Sequence, residues 1–190
     1  MTLHTDGKVK KAVKFRGIHP EHRLYDWFNN KVFAKICQAL GRTDLLFANA
    51  WYNDDLKPQT LHSDYYHVDR GVPGLAMLIP VSVDNDYGMP KIVRTVIFNE
   101  TDTNNSGHDW DRTVWNQNRR PKENNAVQYS DTYLGHLRQD DLECLTVQNI
   151  VDWKTGSVIC WDERLLHASD DFLNNGITSK QAIVIHTYVL

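Results

Sequence analysis

Residues 59–81 read QTLHSDYYHVDRGVPGLAMLIPV. Polar, ligand-type side chains fill the first half, and an apolar β-type run fills the second. Two His-x-Asp triplets stand close together, His62-Ser63-Asp64 and His67-Val68-Asp69. Side chains at i and i+2 of a strand point to the same side. A His-x-Asp at a strand end therefore sets an imidazole beside a carboxylate. That is two thirds of the 2-His-1-carboxylate face that holds Fe(II) and leaves coordination positions open.

The apolar run continues as a strand over 74–83 and stops at Asp84-Asn85-Asp86. A second strand follows over 92–99, carrying Val93, Val96, Ile97 and Phe98. Upstream, 45–53 reads as a strand broken by Asn53-Asp54-Asp55, and the alternation over 11–18 reads as another. Between them Pro20 opens a helix over 21–40. Its apolar residues Leu24, Trp27, Phe28, Phe33, Ile36, Ala39 and Leu40 form one stripe, with Val32 at the margin and Gly41 as the stop. Downstream, strands are predicted over 157–161, 165–169 and 180–190, with turns at 153–156 and 174–176. Short strands between turn signals, with one early helix packed on the sheet, predict a mainly β fold of sandwich or jelly-roll type.

Residues 100–141 differ in character. This polar insertion carries Trp110, Trp115, Tyr129, Tyr133 and the pair Arg119-Arg120, with a short helix expected within 134–145. So long a polar segment inside a domain is expected to be a functional lid, an ordinary long loop or partly disordered, and its aromatics weigh against pure disorder and suit contact with a substrate.

A length of 190 residues suggests one domain spanning 1–190 with that insertion. A net charge of −3 argues against a general nucleic-acid or membrane binder. A small molecule is the first expectation for the partner, with a protein side chain or a nucleobase still open. Cys37, Cys144 and Cys160 are odd in number and widely spaced, so neither a disulfide framework nor a zinc site is expected. That usage fits a reducing cytosol. The N-terminus shows no apolar signal region, and no apolar run reaches the ~20 residues of a membrane span. A cytoplasmic location is the expectation.

The third ligand is sought downstream. On a strand over 165–169, His167 faces away from Leu166 and Ala168 and is placed to complete a metal face with the upstream triplet. Thirteen residues after His167 comes Lys180, at the start of the last strand. A cation facing into an apolar interior is costly unless an anion meets it, and a dicarboxylate co-substrate would supply one.

This order of features resembles the Fe(II)/2-oxoglutarate-dependent dioxygenases, in particular small bacterial and phage-type members. The motifs are His-x-Asp, the apolar LIP-type strand, Trp153-x-x-Gly156, Leu166-His167-Ala168-Ser169, and then the basic Lys180. The resemblance spans about residues 45–190 and is most specific in its last block. It implies a double-stranded β-helix, with His62, Asp64 and His167 holding Fe(II) and Lys180 pairing with the distal carboxylate of 2-oxoglutarate. It further implies a reaction with O2 that hydroxylates a substrate and releases succinate and CO2. Two positions depart from the family pattern. Arg is more usual than Lys at the anchor, and Ala182 stands where a Ser or Thr is common.

The alternation of 59–64 favours His62 and Asp64 as the ligand pair, with His67 and Asp69 at the site's rim. A strand end five residues later would exchange those roles. His186 reads as a hydrogen-bonded core residue of the last strand. His4, His19, His22, His108 and His136 fall in terminal, helix-start or polar contexts and read as surface residues. Two other readings stay open: a cupin-like metalloenzyme that does not use 2-oxoglutarate, and a non-enzymatic β-sandwich binding module.

Overall fold

A computed structural model of the chain describes residues 3–5, 8–10, 16–64, 72–85, 91–101 and 124–190. Ten strands appear among them. They are β1 (Leu3–Thr5), β2 (Lys8–Lys10), β3 (Arg16–Ile18), β4 (Leu45–Asp55), β5 (Val72–Asn85), β6 (Arg94–Thr101), β7 (Val147–Asp152), β8 (Ile159–Asp162), β9 (Leu165–Ser169) and β10 (Ile177–Val189). A larger antiparallel sheet has the order β3-β4-β10-β5-β8, and a smaller one has β7-β6-β9. β1 and β2 pair separately.

The chain crosses between the two sheets repeatedly: β5 to β6, β7 to β8, β8 to β9, then β9 to β10. Residues 59–64 continue the smaller sheet along the free side of β9. The orders β4-β10-β5-β8 and (59–64)-β9-β6-β7 are those of a double-stranded β-helix. Closing strands this way leaves few long exposed edges.

Alternation of side chains sorts the sequence into three apolar clusters. Ala76, Leu78, Ile97, Ile159, Trp161 and Ala182 come from both sheets and fill the space between them. Phe28, Phe33 and Cys37 cover the outer face of the larger sheet, meeting Phe47, Ala50, Met77 and Ile185. Leu134, Leu142 and Leu145 cover the outer face of the smaller sheet, meeting Val96, Phe98, Leu166 and Ala168. The second part of the polar insertion is therefore a packed cover. Its Ala126–Tyr129 turn of 3-10 helix and its short helix α3 (Gln139–Leu142) present the apolar residues.

The expected helix over 21–40 is observed as α1 (Tyr25–Phe28), a π-helical stretch (Asn29–Phe33) and α2 (Ala34–Leu40) joined end to end. The π stretch corrects the face predicted from a 3.6 period. Ala34 N–H reaches back five residues to Asn29 O, so Phe28 and Phe33 share one face and Cys37 follows one turn later. Trp27 is left 56% exposed, and Leu24 and Leu40 are also exposed. Gly41, at φ 66°, closes α2 with Gly41 N–H on Gln38 O and Arg42 N–H on Cys37 O, a paired C-terminal cap.

Strand limits otherwise follow the expected alternation, with two exceptions. β7 was not foreseen, because its Val-Gln-Asn-Ile-Val-Asp run does not alternate. Residues 59–64 form a bulged edge segment with one isolated bridge in place of a regular strand. Residues 11–15 of the first expected strand lie outside the described residues, as do Trp110, Trp115, Arg119, Arg120 and His108.

Candidate functional site

Residues 59–64 are held against β9 by main-chain bonds. Ser169 N–H donates to Gln59 O at 3.3 Å, and His167 N–H and His62 O close at 2.8 Å. His62 N–H returns to His167 O at 3.1 Å, and Asp64 N–H donates to Glu163 O at 3.1 Å. Three residues on one side thus span two on the other, a bulge that turns the segment without flipping its faces. Leu61 joins the outer cluster of the smaller sheet and Ser63 is buried. His62 and Asp64 share the opposite side, where His167 also lies.

The structure brings these three together. One ligand-type atom from each of His62, Asp64 and His167 lies within 4.8 Å of the others. His167 Nε2 is 3.4 Å from Asp64 Oδ2, and the two imidazole rings have centroids 4.2 Å apart. His67 and Asp69 lie outside the described residues.

Both ring orientations are fixed by carbonyl groups. Thr60 O lies 2.7 Å from His62 Nδ1, and Leu165 O lies 3.1 Å from His167 Nδ1. A carbonyl only accepts, so in each ring Nδ1 carries the proton and donates it. The lone pair of a neutral ring is then on Nε2. At His167 that lone pair points at Asp64 Oδ2, a buried oxygen with no hydrogen-bond partner. Two electron-rich atoms 3.4 Å apart in a buried place call for a cation between or beside them.

The electrostatics agree. Burial alone would raise the Asp64 carboxyl. His167, then His186 and His62, with the Trp161 indole, outweigh burial and hold it below the ordinary carboxylate range. A divalent cation held by the same three atoms would favour the ionised carboxylate further. Donor set, ring orientation and orphaned oxygen all fit a 2-His-1-carboxylate metal centre.

Sequence reasoning did not single out Trp161, Glu163 and His186 for this site. Trp161, on β8, packs its ring 4.8 Å from that of His167. His186 faces inward on β10, in the same alternation as Lys180, Ala182 and Val184, which was the available signal. Its Nδ1 lies 3.6 Å from Glu163 Oε1. Burial pulls the His186 ring toward neutrality, but Glu163 and Asp64 prevail and raise it. The β10–β5 register shifts between His186 and Tyr188, and the freed Thr187 N–H donates to Glu163 Oε1 at 2.9 Å. Thr187 Oγ1 in turn accepts from Leu75 N–H and donates to Leu75 O. Gly74 makes room for this, since a Cβ there would meet Thr187 Oγ1 at 2.3 Å.

Lys180 is inward and only 2% exposed, so it is no solvated strand end. Its expected need for an anion is already met within the chain. Asp55, its partner in the β10–β4 register, places Oδ2 3.7 Å from Lys180 Nζ. The Trp153 and Phe172 rings stand 4.4 and 5.5 Å from the ammonium. Burial drives both partners toward neutrality: Lys180 is lowered and Asp55 is raised against their mutual attraction. Gln59 Nε2 donates to Asp55 Oδ1 at 3.3 Å, which links this end of the interior to the segment that carries His62. His136, expected at the surface, is instead partly buried, with Nε2 3.1 Å from Gln59 O.

No family model matches the chain, and no curated protein sequence matches it. Among solved structures it is similar to the non-haem alpha-ketoglutarate-dependent carbocyclase SnoK from nogalamycin biosynthesis. The TM-score is 0.46 at 12% identity, covering 92% of this chain and 63% of that one. It is also similar to EctD from S. alaskensis in its apoform, with a TM-score of 0.48 at 15% identity, covering 100% of this chain and 60% of that one. The chain therefore spans less than two thirds of the length of either. No helix among the described residues is long and apolar enough to cross a membrane.

Proposed function

We propose that the chain is a non-haem Fe(II)- and 2-oxoglutarate-dependent oxygenase that hydroxylates a small organic substrate. One observation carries the reading. Two imidazoles whose Nδ1 atoms are committed to backbone carbonyls converge with a buried, unpartnered carboxylate oxygen. His62, Asp64 and His167 would hold the metal as a facial triad, leaving positions for a bidentate co-substrate and O2. Bound there with 2-oxoglutarate, iron would supply the chemistry that puts oxygen into a C–H bond, with succinate and CO2 released.

The chain's own groups have separate tasks. The bulged segment 59–64 and β9 set the ligand spacing through main-chain bonds. Trp161 and the apolar interior exclude water from the centre. His186, paired with Glu163, acts on Asp64 and favours its ionised form. Lys180, on the same inner face of β10, is the anchor proposed for the far carboxylate of the co-substrate.

The test is anaerobic titration of the Fe(II)-loaded protein with 2-oxoglutarate. A metal-to-ligand charge-transfer band in the visible and slow succinate formation on admitting air are expected. Neither band nor heat of binding would end the dioxygenase reading. A second reading has its own support, because Asp55 already satisfies Lys180. On that reading the same triad serves a cupin-like metalloenzyme that works without 2-oxoglutarate. It predicts metal binding with no response to the keto acid.

A further inference from the structure

We propose that the Lys180 end of the interior accepts a carboxylate ligand only together with a proton, and that Asp170 takes up that proton. The inference rests on the 2-oxoglutarate reading above.

Charged and titratable groups reach this end from every element around it. Lys180 comes from β10, Asp55 from β4, Arg94 from β6, Asp170 from the connection after β9, and His136 and Asp171 stand behind them. The two acids that act on Lys180 are Asp55, 3.7 Å away, and Asp170. Arg94 relieves Asp170 only in part. Its Nε is 2.8 Å from Asp152, whereas its Nη1 is 4.0 Å from Asp170. Burial keeps His136 toward its neutral form, so it adds no compensating charge.

Asp170 is the group out of balance. It is fully buried, its N–H donates to Arg94 O, and yet neither carboxylate oxygen has a hydrogen-bond partner. An ionised carboxylate without donors in the interior is costly, whereas a carboxylic acid is less so and offers an O–H. Burial pushes this carboxyl up to about 6, against the opposing pull of Arg94's backbone, Lys180 and the Arg94 charge. A dicarboxylate arriving at Lys180 would place a third carboxylate beside one ammonium. Like charges so close do not all ionise, and the acid already nearest to neutrality gives way. Protonated, Asp170 changes from a competitor for Lys180 into a hydrogen-bond donor. The balance is one proton taken from solvent for each ligand bound above the range where Asp170 is already protonated.

Calorimetry tests this on the Fe(II)-loaded protein under anaerobic conditions, with 2-oxoglutarate as titrant in buffers of different ionisation enthalpy. The series runs from about pH 7 to about pH 8.5, above the usual histidine range. Uptake approaching one proton per ligand is expected, with Kd rising about tenfold per pH unit. Asp170→Asn should abolish the uptake, flatten the pH dependence and bind more tightly at the alkaline end. Binding of 2-oxoglutarate by the unaltered protein with no uptake and a constant Kd overturns the proton coupling alone. So does full uptake retained in Asp170→Asn. No binding at any pH by either protein overturns the 2-oxoglutarate reading, and the coupling with it.

Discussion

His62 and His167 exchange both main-chain hydrogen bonds of a single antiparallel bridge, and their rings lie 4.2 Å apart on one side of it. Ligand spacing is therefore a property of backbone pairing and does not depend on rotamer choice alone. A centre built this way should lose metal when a ligand is cut, yet keep its fold.

The variants His62→Ala, Asp64→Ala and His167→Ala should each lose metal-induced stabilisation. Fe(II) at about 100 times its Kd adds about 2.7 kcal/mol to a protein that binds it only when folded. Thermal melts with and without Fe(II) measure this. The unaltered chain should shift upward and the three variants should not. His67→Ala and Asp69→Ala should keep the shift, and loss there with His62→Ala spared would reassign the ligand pair.

Removing Lys180 leaves Asp55 and Asp170 buried together without their cation. Breaking a buried pair from one side costs about 3–5 kcal/mol. Lys180→Met should reach that range in denaturant unfolding, and Lys180→Met combined with Asp55→Asn should recover part of the loss. A single variant as stable as the parent would mean that this end is wetter than its burial indicates.

Asp170 makes stability depend on pH with a definite sign. Its folded carboxyl is raised from 3.8 to about 6, so the folded state binds more protons between those values. Stability contributed by the protonated form is present in acid and is lost as pH rises through about 6. The difference is on the order of 3 kcal/mol at neutral pH. Asp170→Asn should therefore be more stable than the parent at pH ~8 and converge with it near pH ~4. Equal stabilities across that range would contradict the burial of an unpartnered carboxylate.

Glu163 serves β10 through its side chain and Asp64 through its backbone. Glu163→Ala should leave the Thr187 N–H unpartnered, a cost of about 1–3 kcal/mol. It should also weaken Fe(II) affinity about tenfold by releasing the His186 ring, which acts on Asp64. Glu163→Gln keeps an acceptor for Thr187 N–H and should restore stability more than affinity. Unfolding curves and metal titrations on the two variants separate these effects.

Much of this arrangement was legible from local pattern. Period-2 alternation over 165–169 put His167 inward, and the same rule put His62 and Asp64 on one side with Leu61 and Ser63 on the other. What escaped was set by pairing between distant strands. Asp55 faces Lys180 because β4 and β10 are in that register, and nothing within residues 45–55 announces it. The inner helix face escaped for another reason, since a π-helical stretch breaks the very period used to read it. His186 could have been found by extending the Lys180–Ala182–Val184 alternation one step further.

The segment at 59–64 has a further effect, on how this protein behaves in company. β9 is the last regular strand on its side of the smaller sheet, and a bare edge invites strand addition by another chain. By lying along β9, the residues that present His62 and Asp64 also occupy the N–H and C=O groups on which such addition begins. Conditions that detach this segment would expose a sticky border, so loss of the centre's geometry and loss of colloidal behaviour should arrive together.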